Sequence, residues 1–104
     1  LTDAPRDNMG QGAAFSPTDL LGAALLSCAL TTVAIAARKR GWPEPGMRGA
    51  VRKEMASEPR RVARLQLDIH FTGPGLDEAQ RRALEHAAAH CPVAKSLAEG
   101  LRID

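Results

Sequence analysis

Two cysteines are the residues of this 104-residue chain best suited to chemistry, and they stand 63 positions apart. Cys28 sits in the middle of a long uncharged run, Leu20 to Ala37. Cys91 directly precedes Pro92 and follows His90, with His86 one helical turn earlier. Read from its surroundings alone, Cys28 is a small buried hydrophobe. Cys91 differs, because a cysteine just before a helix-starting proline lies where unpaired N–H groups and the helix dipole favour a thiolate. No CxxC pair is present, so the two thiols can act together only if the fold brings them together. Cys28, His86, His90 and Cys91 lack the paired ligand spacing of a structural zinc site. Arg60 and Arg61 read as a solvated turn or as a contact for an anion or a partner.

The whole chain narrows the classes. Its length suits one domain. A formal net charge of +2 and an aromatic content of 3% give no basic, aromatic-interleaved surface for nucleic acid. Two cysteines without a signal peptide do not make a secreted disulfide scaffold. They fit a reducing cytoplasm, where cysteines serve packing, metal binding or redox chemistry.

The element that must position Cys28 is a helix over residues 17–40. Ser16 is its N-cap and Pro17 suits the first helical position. Asp19 lies at the positive end of the dipole, and Arg38, Lys39 and Arg40 at the negative end. Gly41 can turn left-handed and stop the helix, and Pro43 prevents a restart. The 18 uncharged residues from Leu20 to Ala37 reach the lower limit of a membrane span. Their Ala-rich composition, Gly22, Ser27, Thr31, Thr32 and the soluble-style caps favour a core helix instead. Being apolar on every side, it must be covered on every side.

Around it, residues 1–15 and 42–46 read as loops. Strands are predicted over 47–56 and 62–71, joined by a hairpin turn at 57–61 around Pro59. Met47, Gly49, Val51, Lys53 and Met55 share one face of the first strand. Ala63, Leu65, Leu67, Ile69 and Phe71 form the apolar face of the second, with Val62, Arg64, Gln66, Asp68 and His70 opposite. A turn at 72–75 precedes a helix over 78–90, opened by an Asp77/Gln80 capping box. A short helix over 92–98 follows, closed by Gly100. One hairpin cannot cover an all-round apolar helix, so further strands or a second copy are expected.

The stretch FSPTDLLGAALLSCALTT, followed much later by HCPVAKSL, resembles the OsmC/Ohr family of osmotically inducible and organic-hydroperoxide-resistance proteins. TDAPRDNMGQGAAFSPTDL, KEMASEPRRVARL and ALEHAAAHCPVAKSL extend the likeness over nearly the whole chain. The resemblance implies an α+β fold, OsmC-like, with a long central helix carrying a cysteine packed against a curved antiparallel sheet in an intertwined dimer. Residues 1–104 are then a single OsmC-like domain lacking the family's N-terminal strands. It also implies a thiol-dependent peroxidase for organic hydroperoxides in oxidative-stress defence. Cys28 matches the peroxidatic and Cys91 the resolving cysteine, active sites lie at the homodimer interface, and an external dithiol restores both thiols. No metal or flavin cofactor, nucleic acid or membrane is implied. The alternative is a non-catalytic dimer that binds a small apolar ligand.

Two positions depart from the family's peroxidases. Where they carry a glutamate ten residues before the peroxidatic cysteine, this chain has Thr18, followed by Asp19. Their thiolate-stabilising arginine comes from an N-terminal strand outside this chain, which leaves Arg6 as a substitute. Without that pair, Cys28 in its apolar helix is expected to have a raised pKa and Cys91 to be the better thiolate.

Overall fold

Ser16 begins the central helix with more than one bond. Its Oγ accepts the Asp19 N–H at 3.1 Å while the Asp19 carboxylate accepts the Ser16 N–H at 2.9 Å, a reciprocal capping box. From there α1 runs Pro17–Lys39. It ends in a Schellman motif: Gly41 takes φ +69°, its N–H reaches the Arg38 carbonyl at 3.1 Å, and the Trp42 N–H reaches Ala37 at 3.0 Å. The computed structural model describes residues 1–73, 75–97 and 99–104. Position 74 of the predicted turn and the end of the predicted short helix at position 98 lie outside the described residues.

After α1 come β1 (Gly46–Ala56), β2 (Arg61–Thr72), α2 (Glu78–Ala89), α3 (Pro92–Ser96) and β3 (Arg102–Ile103). A single 3-10 turn at Arg6–Asn8 interrupts the leading loop. The α+β architecture is the expected one. The sheet differs from the antiparallel sheet expected. β1 and β2 pair antiparallel, but β3, a segment to which the sequence reading assigned no element, joins the other side of β2 in parallel, so the sheet is mixed in the order β1-β2-β3. Two paired residues are too few to leave a periodic signature.

The face of β1 predicted to turn inward does so. Val51 and Met47 pack into the core, and a Cβ on Gly49 would lie 2.7 Å from Leu26 Cδ1, so glycine there lets the helix close on the strand. On β2 the alternation breaks once. Glu54 pairs with Arg64 and Met55 with Val62, which leaves Ala63 as the extra residue of a bulge. The register change carries Val62 into the core beside Leu65, whereas simple alternation placed it on the polar side.

The core has two centres along α1. Leu25 and Ala29 meet Leu65 and Cys91, and further on Val33, Ala36 and Ala37 meet Leu84 of α2. All of these α1 residues fall on one side of the helix. The opposite stripe, Leu20, Ala24, Ser27, Thr31 and Ile35, is exposed, with Leu20 at 47% and Ile35 at 49%. Within this chain α1 is thus covered on one side only. By length and composition it is apolar enough to cross a membrane, and here its buried side packs against the sheet, α2 and α3.

Candidate active site

The two cysteines meet. Cys28 lies half-buried on the flank of α1, between the buried and the exposed stripes. Cys91, the N-cap of α3, is fully buried in the cluster formed by Leu25, Ala29 and Leu65. The chain brings them together by docking the start of α3 on the middle of α1, where Ala24 and Ala29 flank Cys28 and leave room for a backbone turn. They pack in one cluster, each close enough to shift the other's pKa, and both are free thiols.

The electrostatics of the pair run opposite to the sequence expectation. The backbone N–H of Val93 points at Cys28 and holds its pKa below the usual thiol range; burial opposes this, and the Cys91 thiol and the Thr32 hydroxyl add to it. Burial pushes the Cys91 pKa up, the Ala94 N–H offsets part of that, and the neighbouring Cys28 raises it further. The physical reason lies in α3. Pro92 occupies the first helical position and carries no N–H, so Val93 supplies the first free donor at the positive end of the turn. That donor faces across to Cys28. The helix start therefore stabilises the cysteine of α1 and leaves its own N-cap cysteine in apolar surroundings. The reading of Cys28 as an inert apolar thiol and of Cys91 as the favoured thiolate is corrected on this point.

Thr32, read in the sequence only as a small polar residue of the helix, is the other contributor. Its spacing of four residues from Cys28, which puts both on one helix face, is the signal that pointed to it.

Thr18 and Arg6 lie elsewhere. Thr18 Oγ1 accepts from Lys53 Nζ at 2.7 Å, and the same ammonium reaches Asp19 at 2.7 Å and Ser16 Oγ at 3.0 Å. Three partners saturate its three donors. This knot ties the start of α1 to β1, about 15 Å along the helix axis from Cys28. Arg6 donates to the Gln11 carbonyl at 3.2 Å and, within one chain, is not among the groups that lower the Cys28 pKa. Among the described residues no three His, Cys, Asp or Glu side chains converge on a metal position.

An apolar cavity of 270 Å³ adjoins the cysteine cluster. Leu25 and Ala29 of α1, Leu67 and Ile69 of β2, Ala88 of α2 and Ala94 of α3 line it, with Glu85 and Asp104 as its charged groups. It shares Leu25 and Ala29 with the cluster that buries Cys91.

A sequence profile for a family described as OsmC-like protein matches residues 10–104. A crystal structure from Psychrobacter arcticus, of a protein named for osmotic-stress induction and a detoxification response, shares 43% identity with a TM-score of 0.89. The likeness covers 99% of this chain and 74% of that one. An organic hydroperoxide resistance protein OsmC from Legionella pneumophila shares the fold at 22% identity, with a TM-score of 0.75 over 98% of this chain and 75% of that one. Another from Vibrio cholerae, solved with captopril in one of its active sites, is 19% identical, with a TM-score of 0.73 over 97% of this chain and 70% of that one. No curated protein matches the chain.

Proposed function

The chain belongs to the OsmC-like family, and on that premise we propose that it is a thiol-dependent peroxidase that reduces organic hydroperoxides through Cys28 and Cys91. The family and its hydroperoxide-resistance relatives support a stress-related redox role. One observation carries the finer reading. Two thiols far apart in sequence share one cluster, and the less buried one is the one whose thiolate a backbone N–H stabilises.

In this reading the Cys28 thiolate attacks the terminal oxygen of the hydroperoxide. The O–O bond breaks, Cys28 becomes a sulfenic acid, and the alkoxide leaves and takes up a proton to give the alcohol. The Cys91 sulfur then displaces hydroxide from the sulfenic sulfur, with its thiol proton leaving in the water formed. A Cys28–Cys91 disulfide results, and an external dithiol reduces it, becoming a disulfide itself. Burial keeps Cys91 protonated and spared from direct oxidation until Cys28 has reacted. No metal or flavin enters any of these steps. A second copy of the chain covers the exposed α1 stripe, so that Cys28 opens at the edge of a homodimer interface. A cytoplasmic location supplies the dithiol.

The test is thiol counting after one equivalent of cumene hydroperoxide. Both thiols should disappear together. Cys28→Ser should retain its single thiol, and Cys91→Ser should accumulate a Cys28 sulfenic acid that dimedone traps. Survival of both wild-type thiols in excess hydroperoxide would sink the enzyme reading. The second reading, a non-catalytic dimer that binds a small apolar ligand, would then stand on the apolar cavity beside the cysteines.

A further inference from the structure

The pairing of Cys28 with Cys91 also suits a chemistry that needs no oxidant. They are the only two cysteines of the chain. Cys28 packs against the cluster in which Leu25, Ala29 and Leu65 enclose Cys91, and both are unbonded thiols. Among the described residues no three His, Cys, Asp or Glu side chains converge. A centre that draws three or four ligands from the protein, as structural zinc does, is therefore not satisfied here. The place offers two sulfur ligands and no third, in apolar surroundings. Thiolates select soft acceptors.

Trivalent arsenic with one carbon substituent meets that description. The substituent fills one of its three valences, and two exchangeable hydroxyls remain for two thiols. Inorganic arsenite has three exchangeable positions and finds no third sulfur in this chain. The order of bond formation follows from burial. Cys28 is half-buried and is the thiol whose ionised form the Val93 N–H favours, so it makes the first bond to arsenic. Cys91 is fully enclosed. It meets an arsenic already tethered to Cys28, by the same approach that the resolving step asks of it, and needs no path through solvent. Sulfurs bridged by one arsenic stand farther apart than the roughly 2.05 Å of a disulfide. Two thiols that pack together unbonded therefore move less to close this ring than to close a disulfide.

We propose that Cys28 and Cys91 form a dithiol site that captures monosubstituted trivalent arsenicals, R–As(OH)₂, as a cyclic dithioarsenite. Two As–O bonds break and two As–S bonds form. Each thiol proton leaves with a hydroxide, so two waters depart. Arsenic stays trivalent and neither sulfur changes oxidation state, so no oxidant or reductant enters. The site rests on the same thiol pair as the proposed peroxidase but not on that pair's reactivity toward hydroperoxide. Capture occupies both sulfurs and shuts down the peroxide reaction.

Phenylarsine oxide, which hydrates to the R–As(OH)₂ form, is the probe, used on the reduced full chain. Intact mass and thiol counting should show one phenylarsenic per chain with both thiols gone. 2,3-Dimercaptopropanol should strip it, whereas a large excess of 2-mercaptoethanol should not. Cys28→Ser and Cys91→Ser should each bind at least about a hundredfold more weakly, since joining two attachments gains about 10²–10⁴, and should release the arsenical to 2-mercaptoethanol. Two phenylarsenic groups on one wild-type chain, or ready removal from wild type by 2-mercaptoethanol, overturns the site whether or not the variants fold. Cumene hydroperoxide on a parallel sample separates this inference from the enzyme reading. A chain that holds the arsenical between both thiols yet keeps them in excess hydroperoxide retains the site and loses the enzyme. A chain that loses both thiols to hydroperoxide yet forms no arsenic bridge loses the site and retains the enzyme.

Discussion

Replacing Val93 with proline removes one N–H, the donor that contributes most to lowering the Cys28 pKa. Position 93 lies in the first turn of α3, where no intrahelical bond uses that N–H, so proline deletes it without breaking the helix ladder. A hydrogen bond to a charged group is worth about 1.5–3 kcal/mol, and one pKa unit corresponds to about 1.36 kcal/mol. The substitution should therefore raise the Cys28 pKa by about one to two units, towards the lower figure because the thiol is half-exposed. The sign follows from losing a donor to the thiolate: the charged form becomes less favourable and the midpoint moves up. Below the old midpoint, reactivity falls about tenfold per unit; well above the new one, wild type and variant converge. The assay is iodoacetamide alkylation against pH in a Cys91→Ser background, where Cys28 is the only thiol. Ala94→Pro is the control, since the Ala94 N–H serves Cys91 and is not among the groups acting on Cys28. An unmoved midpoint in Val93→Pro, or an equal shift in Ala94→Pro, refutes the argument.

Three further perturbations probe the frame that holds the site. Lys53→Met removes the ammonium that, ahead of the Ser16 N–H, holds the Asp19 carboxyl below its usual range. A depressed carboxylate stabilises above its unfolded pKa and loses that contribution as pH falls through the folded one, so the deficit of about 1 kcal/mol expected at neutral pH should close below about pH 4; urea melts that keep the gap in acid would contradict this. Gly49→Ala sets a methyl 2.7 Å from Leu26 Cδ1, the movable end of a half-buried side chain, and should cost about 0.5–1.5 kcal/mol as Leu26 is pushed off its rotamer, less in a Leu26→Ala background, and an equal cost in both backgrounds would rule out that contact as the cause. Ile35→Glu puts a charge on the exposed α1 stripe and should convert a dimer to monomers in sedimentation equilibrium; a wild-type chain that already sediments as a monomer defeats the dimer proposal.

Much of this protein is local and was open to reading in one dimension. The limits of α1 follow from Ser16, Pro17 and Gly41, because caps and left-handed stops act within a few residues. The same holds for α2, opened by the Asp77/Gln80 box, and for the inward face of β1, whose period of two survives in the structure. Three features are nonlocal and only the tertiary structure decided them. The Ala63 bulge reverses the side of Val62, because register depends on the partner strand. β3 exists only through its pairing with β2. The balance between the thiols was misjudged for the same reason. Sequence places Cys91 at a helix start and Cys28 in an apolar helix, but a dipole stabilises whatever its free N–H groups face, and burial penalises whatever the core encloses. Docking α3 across α1 aims the Val93 N–H at Cys28 and closes the core over Cys91, so the order of the two pKa values belongs to the packing and not to either cysteine's neighbours in the chain.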